Sequence, residues 1–496
     1  MATISARDWG WRHAGRRAWA VRDVSFDIAD GERVLLLGAS GSGKSTLLAG
    51  IAGVLGGPDE GDETGRLLVD GMHPTRAHGR VGLVQQDPES NIVLARVGDD
   101  VAFGPENLGV PRDHIWPRVR LALDAVGLTV PLDHPTSQLS GGQKQRLAIA
   151  GSLALSSRGG GSSVLLLDEP TANLDPTGVA EVRDAVARLA AERGLTLVVV
   201  EHRVDVWAGL VDRVLVLDAG GGLLADGPPA EVFDRHARSL AAAGVWVPGL
   251  GGGASSLPPA SGTPVLQGED LAIGYQPEQP VRTGLDTGIP AGVSTVITGD
   301  NGTGKTTLAL TLAGLLPRLG GRVVAASGLR PPDRPANRWR GRGAVQGEDP
   351  GTWTSRDLLT RIGTVFQQPE HQFVASTVWD ELAVGLRALE WPEDRVRTRV
   401  EELLDALRLD RLAGANPFTL SGGEKRRLSV ATVLAAGPRV MVLDEPTFGQ
   451  DRTTWLELVG LVRAMLAEGR TVVSVTHDAA YIEALGQHRI TLGDAG

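Results

Sequence analysis

Lys44 and Lys305 each close a glycine-rich loop, GASGSGKST (Gly38 to Thr46) and GDNGTGKTT (Gly299 to Thr307). Both fit G-x-x-x-x-G-K-[ST] between an apolar strand and an apolar helix. Such a loop turns backbone N–H groups inward around a phosphate chain at a helix N-terminus. The candidate cradle is Gly38, Ser40, Gly41, Gly43 and Thr46 in the first loop, and Gly299, Asn301, Gly302, Gly304 and Thr307 in the second. Lys44 and Lys305 are placed to neutralise the terminal phosphates, and Ser45 and Thr306 to offer hydroxyls to Mg²⁺. Downstream, VLLLDEP (Val164 to Pro170) and VMVLDEP (Val440 to Pro446) read as strands ending in paired carboxylates. Asp168 and Asp444 suit the Mg²⁺ shell, and Glu169 and Glu445 suit polarising a water that attacks phosphorus.

Lysine usage ties these sites to a second motif. Of the 49 Lys and Arg residues only four are lysines, and the two outside the phosphate loops are Lys144 and Lys425. They lie in LSGGQKQR (Leu139 to Arg146) and LSGGEKRR (Leu420 to Arg427), each before a helical pattern. Ser140, Gly141, Gly142 and Ser421, Gly422, Gly423 form a second anion-binding helix start in each half. The order of blocks is the same twice, so the chain is a tandem duplication.

These groups need rigid elements to position them. Short aliphatic runs (Arg33 to Leu37, Val164 to Leu167, Leu195 to Val200, Val214 to Leu217, Val293 to Thr298, Val440 to Leu443, Thr471 to Val475) read as buried strands of a mostly parallel sheet. Ala-rich amphipathic stretches such as Val179 to Arg193 and Trp455 to Glu468 read as the helices between them. The expected fold is α/β, two P-loop domains over 1–246 and 265–496. Residues 247–264, rich in Gly, Ser and Pro, are expected to be a flexible linker. The loop at 158–163 and the Pro/Gly/Arg-rich stretch at about 325–359 are expected to be surface insertions.

A formal charge of −10 argues against a large basic nucleic-acid surface, and no nucleic acid is expected. With no cysteine, disulfides and thiolate metal sites are excluded. No run approaches the roughly 18 to 20 apolar residues of a membrane span, and the N-terminus does not read as a secretory signal.

Phosphate loop, glutamine, LSGGQ, acidic strand and histidine, in that order, resemble the ATP-binding cassette (ABC) nucleotide-binding domain over nearly the whole chain, twice. The resemblance implies a helical signature subdomain in each half, ATP with Mg²⁺, and ATP hydrolysis. It implies that the site of Lys44 is completed by Ser421 and that of Lys305 by Ser140. Gln86 and Gln367 match the loop that senses Mg²⁺ and the membrane subunit. His202 and His477 match the histidine that meets the γ-phosphate, and Trp11 and Tyr275 the aromatic that stacks on adenine. Gln450 departs from the usual leucine after the acidic strand.

VGDDVAFGPENLG (Val97 to Gly109) and VWDELAVGL (Val378 to Leu386) are similar to energy-coupling factor (ECF) transporter ATPases, which drive uptake of vitamins or of cobalt and nickel. Phe366 to Phe373 (FQQPEHQF) resembles their glutamine segment, with Gln372 and Phe373 expected to dock on a membrane subunit. The first half has Gln85 and Asn91 in place of that segment's aromatic and second glutamine. This resemblance implies a peripheral motor on the cytoplasmic face of the membrane. Its partners would be a T-type coupling protein and a substrate-binding subunit, with no direct contact between this chain and the cargo. Two other readings stand beside it. A fused sugar-importer ATPase commonly has one degenerate site, whereas both are complete here. A soluble duplicated ABC ATPase acting on ribosomes has a long, charged helical arm, whereas the linker here is uncharged.

Overall fold

Strand Arg33–Gly38 shows why the sheet must be covered twice. Its side chains alternate, so Leu35 and Leu37 enter one apolar cluster while Val34 and Leu36 enter another on the opposite face. Aliphatic residues on both faces require a layer on each side.

The computed structural model describes residues 4–493 except 40, 58, 78, 156–163, 172–173, 175, 248–249, 251–253, 301, 333–346 and 448–449. It divides into two compact units, Met1–Gly251 with Asp451–Thr453, and Gly252–Gln450 with Thr454–Gly496. In the first, the central sheet runs Val81–Val84, Val164–Asp168, Thr196–Val200, Arg33–Gly38, Arg213–Leu217, Leu223–Gly227. All neighbours are parallel except the last pair. In the second, Ile362–Val365, Val440–Asp444, Thr471–Val475, Ser294–Gly299 and His488–Leu492 form a wholly parallel sheet. Seven of these eleven strands lie within a residue or two of the runs expected from sequence, while Val81–Val84, Leu223–Gly227, Ile362–Val365 and His488–Leu492 were not among them. Helices Pro176–Arg193 and Arg452–Ala467 match the two amphipathic stretches closely.

In the first unit one face of the sheet shares its core with three helices, Val97–Asn107, Arg112–Ala125 and Gly141–Leu155, which pack on one another. In the second, Val378–Ala388, Glu393–Ala406 and Gly422–Ala435 pack together in the same way. The other face of the first unit's sheet is covered by helix Lys44–Ala52 and a three-stranded antiparallel sheet, Val21–Ile28, Ile4–His13, Gly61–Val69. The second unit has the same small sheet in Arg282–Pro290, Pro264–Ile273 and Gly320–Ala325. Sequence patterning missed these sheets because their alternation is broken by bulges. Asp8 and Asp270 both take φ 47°, and the strand register shifts there. A Cβ on the facing glycines, Gly65 and Gly321, would lie 2.1 and 2.2 Å from the carbonyls of Asp8 and Asp270.

The 247–264 stretch is not free along its described length. Val247 belongs to the first unit's core, while Leu257 N and Ala260 N donate to Ala484 O and Gln487 O, each at 3.2 Å. Gln487 donates to Pro258 O and Arg463 to Ser255 O. Pro258, Pro259 and Pro264 carry no N–H group, and two of the donors around them are held by backbone carbonyls. The 158–163 loop lies outside the described residues, as does 333–346. The end of that second insertion is anchored rather than solvated. Trp353 is buried and donates to Gly347 O at 3.0 Å. No helix among the described residues is long and apolar enough to cross a membrane.

Candidate active site

Each phosphate loop joins an inner strand of its sheet to a buried helix, Lys44–Ala52 or Lys305–Leu312. Gly43 and Gly304 start these helices with φ 92° and 91°, conformations that L side chains rarely adopt. A Cβ on Gly43 would also sit 2.1 Å from Ala20 O. Lys44 curls over its loop, donating from Nζ to Gly38 O at 3.0 Å and Ala39 O at 2.9 Å, and burial lowers its pKa. Lys305 Nζ donates to Asp300 O at 2.8 Å. Two buried ammonium groups above rings of backbone suit a polyanion, which would replace carbonyls as their acceptor. Gly38, Gly41, Thr46, Gly299, Gly302 and Thr307 belong to the same two turns. Ser40 and Asn301 lie outside the described residues.

The acidic strands end beside these loops. Thr306 Oγ1 donates to both carboxylate oxygens of Asp444, at 3.0 and 3.2 Å. Ser45 likewise hydrogen-bonds Asp168, although burial holds that carboxyl above its ordinary range. A hydroxyl and a carboxylate converging next to a phosphate loop form an oxygen donor set suited to Mg²⁺.

Glu169 and Glu445 continue the ladder through their N–H groups to Val200 O and Val475 O, both at 2.9 Å, yet take φ 47° and 44°. Left-handed backbone at a non-glycine residue costs on the order of 1 kcal/mol and persists only where its surroundings impose it. Around these carboxylates the units differ. Glu169 accepts from Gln86 Nε2 at 2.7 Å and lies 3.1 Å from His202 Nε2. Burial pushes its pKa up, but His202 outweighs that and holds it below the usual value. His477 Nε2 stands 3.6 Å from Glu445, and burial together with Asp444's charge pushes Glu445 up to about 7. Gln367 is exposed and is held through its carbonyl, which accepts from Arg426 at 2.6 Å.

Ser140 and Ser421 start the signature helices in reciprocal caps. Ser421 N donates to Glu424 Oε2 at 2.8 Å, and Ser140 N to Gln143 Oε1 at 2.9 Å. Gly142 and Gly423 leave room for close neighbours, since added Cβ atoms would lie 3.2 Å from Gly178 Cα and Thr454 Oγ1 respectively. Gly141 and Gly422 precede them in the same first turns. One turn on, Arg426 is buried and bonds the carbonyls of Phe366, Gln367 and Glu445. Its counterpart Gln145 is also buried, with no partner for either side-chain heteroatom among the described residues.

Two sequence expectations are corrected. Trp11 is buried and pairs with Val21, as Ile273 pairs with Arg282, so Trp11 is a core position. Two residues further along the equivalent strand stands His13. It is exposed, with Nε2 3.3 Å from Thr46 Oγ1, and it takes the place held by Tyr275 in the other unit. The shared bulges at Asp8 and Asp270 fix this register, whereas aromatic character alone pointed to the wrong residue. Gln372 and Phe373 also face inward. Gln372 bonds Phe366 N and Thr364 O, while Phe373 is buried edge-to-face on Phe418. Sequence reasoning also missed Asp100 and Glu381. Asp100 accepts from Val93 N and Leu94 N at 2.7 and 2.8 Å; Glu381 accepts from Val374 N and Ala375 N at 2.8 and 2.7 Å. These acids of the VGDDVAFG and VWDELAVG blocks therefore cap the end of the glutamine segment.

The family described as ABC transporter matches residues 21–172 and 283–448, more than half of the chain. "Putative HMP/thiamine import ATP-binding protein YkoD" of Bacillus subtilis is 32% identical over 96% of this chain and 87% of its own length. "Putative ABC transporter ATP-binding protein SCO2324" of Streptomyces coelicolor is 33% identical over 95% and 89%. Among solved structures, the archaeal ribosome recycling factor aABCE1, in complex with ribosomal stalk protein aP1, has TM-score 0.62 and 19% identity. It covers 98% of this chain and 87% of that one, a likeness of fold. The cbiO1 structure from Clostridium perfringens, part of the transporter complex cbiONQ, covers 47% of this chain and 90% of its own. It is 34% identical, with TM-score 0.41.

Proposed function

This chain belongs to the ABC transporter family and is an ATPase that uses ATP with Mg²⁺, and we propose that it is the motor subunit of an ECF-type importer. Mg²⁺ would be held by Ser45, Asp168 and Gln86 in one cassette and by Thr306, Asp444 and Gln367 in the other. When bound it supplies positive charge to the phosphate oxygens. The chain's own groups do the rest. Lys44 and Lys305 hold terminal phosphates, Ser140 and Ser421 add donors at their helix starts, and His13 and Tyr275 face the base. Glu169 and Glu445 take up the attacking water's proton, with His202 and His477 beside them.

The observation that carries the transport reading is a repeated pair of exposed apolar residues. Val93 and Val374 are 58% and 74% exposed at the end of each glutamine segment. One turn beyond the capping acids, Phe103 and Val384 are 37% and 40% exposed. A soluble surface has no use for the same apolar pair twice, whereas the coupling helices of a membrane subunit would cover it. Phe418, 51% exposed, extends the patch beside Phe373 in the second unit. The partners on this reading are a T-type coupling protein and a substrate-binding subunit, with the chain peripheral on the cytoplasmic face. The cargo is a small nutrient, a vitamin or transition-metal ion, met only by the membrane subunits. The thiamine-import name of the Bacillus relative favours a vitamin or its precursor.

Replacing Val93, Phe103, Val374 and Val384 by Asp tests this. Recovery with membranes and nutrient uptake should fall, while ATP hydrolysis by the isolated chain stays within about twofold. Undiminished membrane association in the fourfold variant would contradict the docking surface.

A further inference from the structure

Lys144 and Lys425, the two lysines outside the phosphate loops, have no place in the chemistry described so far. Both sit in the first turn of a signature helix, 9% exposed in Lys144 and with a 19% exposed side chain in Lys425. Each is paired. Lys425 Nζ donates to Glu370 Oε1 at 2.9 Å, and Lys144 Nζ donates to Glu89 Oε1. Glu89 and Glu370 each stand three residues beyond the glutamine of their cassette, so one cross-link recurs in both units.

The rest of that segment is tied as well. Asn91 bonds Gln85 N and O, and Gln372 bonds Phe366 N, so each segment closes on its own start. Asp100 and Glu381 cap the far end. These bonds fix the segment's internal shape and its attachment to the helix beyond it. The lysine–glutamate pair, with Arg426 added in the second unit, joins it to the signature helix. A compact ammonium on a buried stem suits one carboxylate oxygen, whereas a guanidinium needs two acceptors in a fixed plane. That accounts for lysine here in a chain that otherwise uses arginine. Burial raises the Glu370 carboxyl, but the hydrogen bond from Lys425, with the nearby Arg426 charge, holds it below its usual range.

We propose that Lys144 and Lys425 are positioning residues of the ATPase reaction, each fastening the glutamine segment to its own signature helix. The ties set where Gln86 and Gln367 stand relative to Glu169 and Glu445. Neither lysine touches nucleotide, and neither needs a membrane partner for this role. Loss of the tie displaces the glutamine without disturbing the phosphate cradle.

The test uses the full chain with Lys144→Met/Lys425→Met, and separately the shape-preserving Glu89→Gln/Glu370→Gln. Misplacement of a group that acts at the reaction centre costs roughly ten- to a hundredfold in rate. The expected result is a fall in kcat of that order with KM for MgATP within about twofold. Amide hydrogen exchange should rise across 86–94 and 367–375 while the central strands stay protected. Exchanging the partners (Lys425→Glu with Glu370→Lys, and likewise Lys144 with Glu89) should restore both readouts. Unchanged exchange in those segments, a rise in KM alone, or no recovery on exchange would overturn the proposal. Should the methionine variant not fold, the glutamine variant decides the matter by the same readouts.

Discussion

Gln86 donates its side-chain amide to Glu169 at 2.7 Å, joining the glutamine segment of the first cassette directly to the carboxylate at the end of its acidic strand. Any displacement of the loop therefore acts on that carboxylate. In the second cassette Arg426 makes the corresponding link through backbone, bonding the carbonyls of Gln367 and Glu445. The two halves carry the same glutamine, glutamate and histidine, but Arg426 stands where the first has Gln145, and the wiring differs.

Glu169→Gln and Glu445→Gln should each lower steady-state ATP turnover by at least about half, and the double variant should be essentially inactive, with ATP affinity retained. The base is lost in each case while the phosphate loop is intact. Wild-type turnover in either single variant would exclude two working sites.

Trp11 and His13 separate packing from binding. Trp11→Ala should cost about 3–5 kcal/mol of stability, as expected for emptying a buried indole site. His13→Ala and Tyr275→Ala should leave the melting temperature nearly unchanged and weaken ATP binding. A lost base-stacking contact is worth about 1–3 kcal/mol, roughly fivefold or more in affinity. Calorimetric unfolding and nucleotide titration distinguish the two patterns.

Gln145 and Arg426 occupy the same helical position with opposite consequences. Arg426, whose pKa burial lowers to about 10, satisfies three carbonyls, so Arg426→Met should destabilise the second unit by about 3 kcal/mol or more. Gln145→Met should gain about 1–2 kcal/mol by removing buried polar atoms that lack partners. Denaturant unfolding of each variant measures the difference.

Glu445 makes nucleotide-free stability depend on pH. Its folded pKa of about 7 exceeds the unfolded value of 4.5, so the folded state binds the proton more tightly. The group's contribution is greatest below pH 4.5 and is lost as pH rises through 7, a change on the order of 3 kcal/mol. Glu445→Gln should flatten that part of the stability profile. Glu169→Gln should not, because His202 holds the Glu169 pKa down.

The sheet strands were legible because aliphatic runs on both faces leave few alternatives, and the phosphate loops because only glycine fits Gly43 and Gly304. What escaped was set by geometry rather than by pattern. The bulges at Asp8 and Asp270 shift the strand phase, hiding the small sheets and setting His13 rather than Trp11 at the exposed position beside Thr46. Lys144 and Glu89 are far apart in sequence, so no local period announces their pairing. A Gly, Ser and Pro composition signalled freedom between the cassettes, but it could not reveal that Leu257 and Ala260 find backbone partners. The resemblance put Gln372 at a docking surface, but its amide closes its own segment, a bond no local pattern announces.

The central claim, an ATPase working as the motor of a membrane importer, is tested most directly by isolating the tagged chain from detergent-solubilised membranes of its host and identifying what accompanies it. The account predicts integral-membrane proteins in fixed proportion to the chain, lost when Val93, Phe103, Val374 and Val384 are made Asp. Recovery of the wild-type chain alone, or with ribosomes in place of membrane proteins, would contradict it.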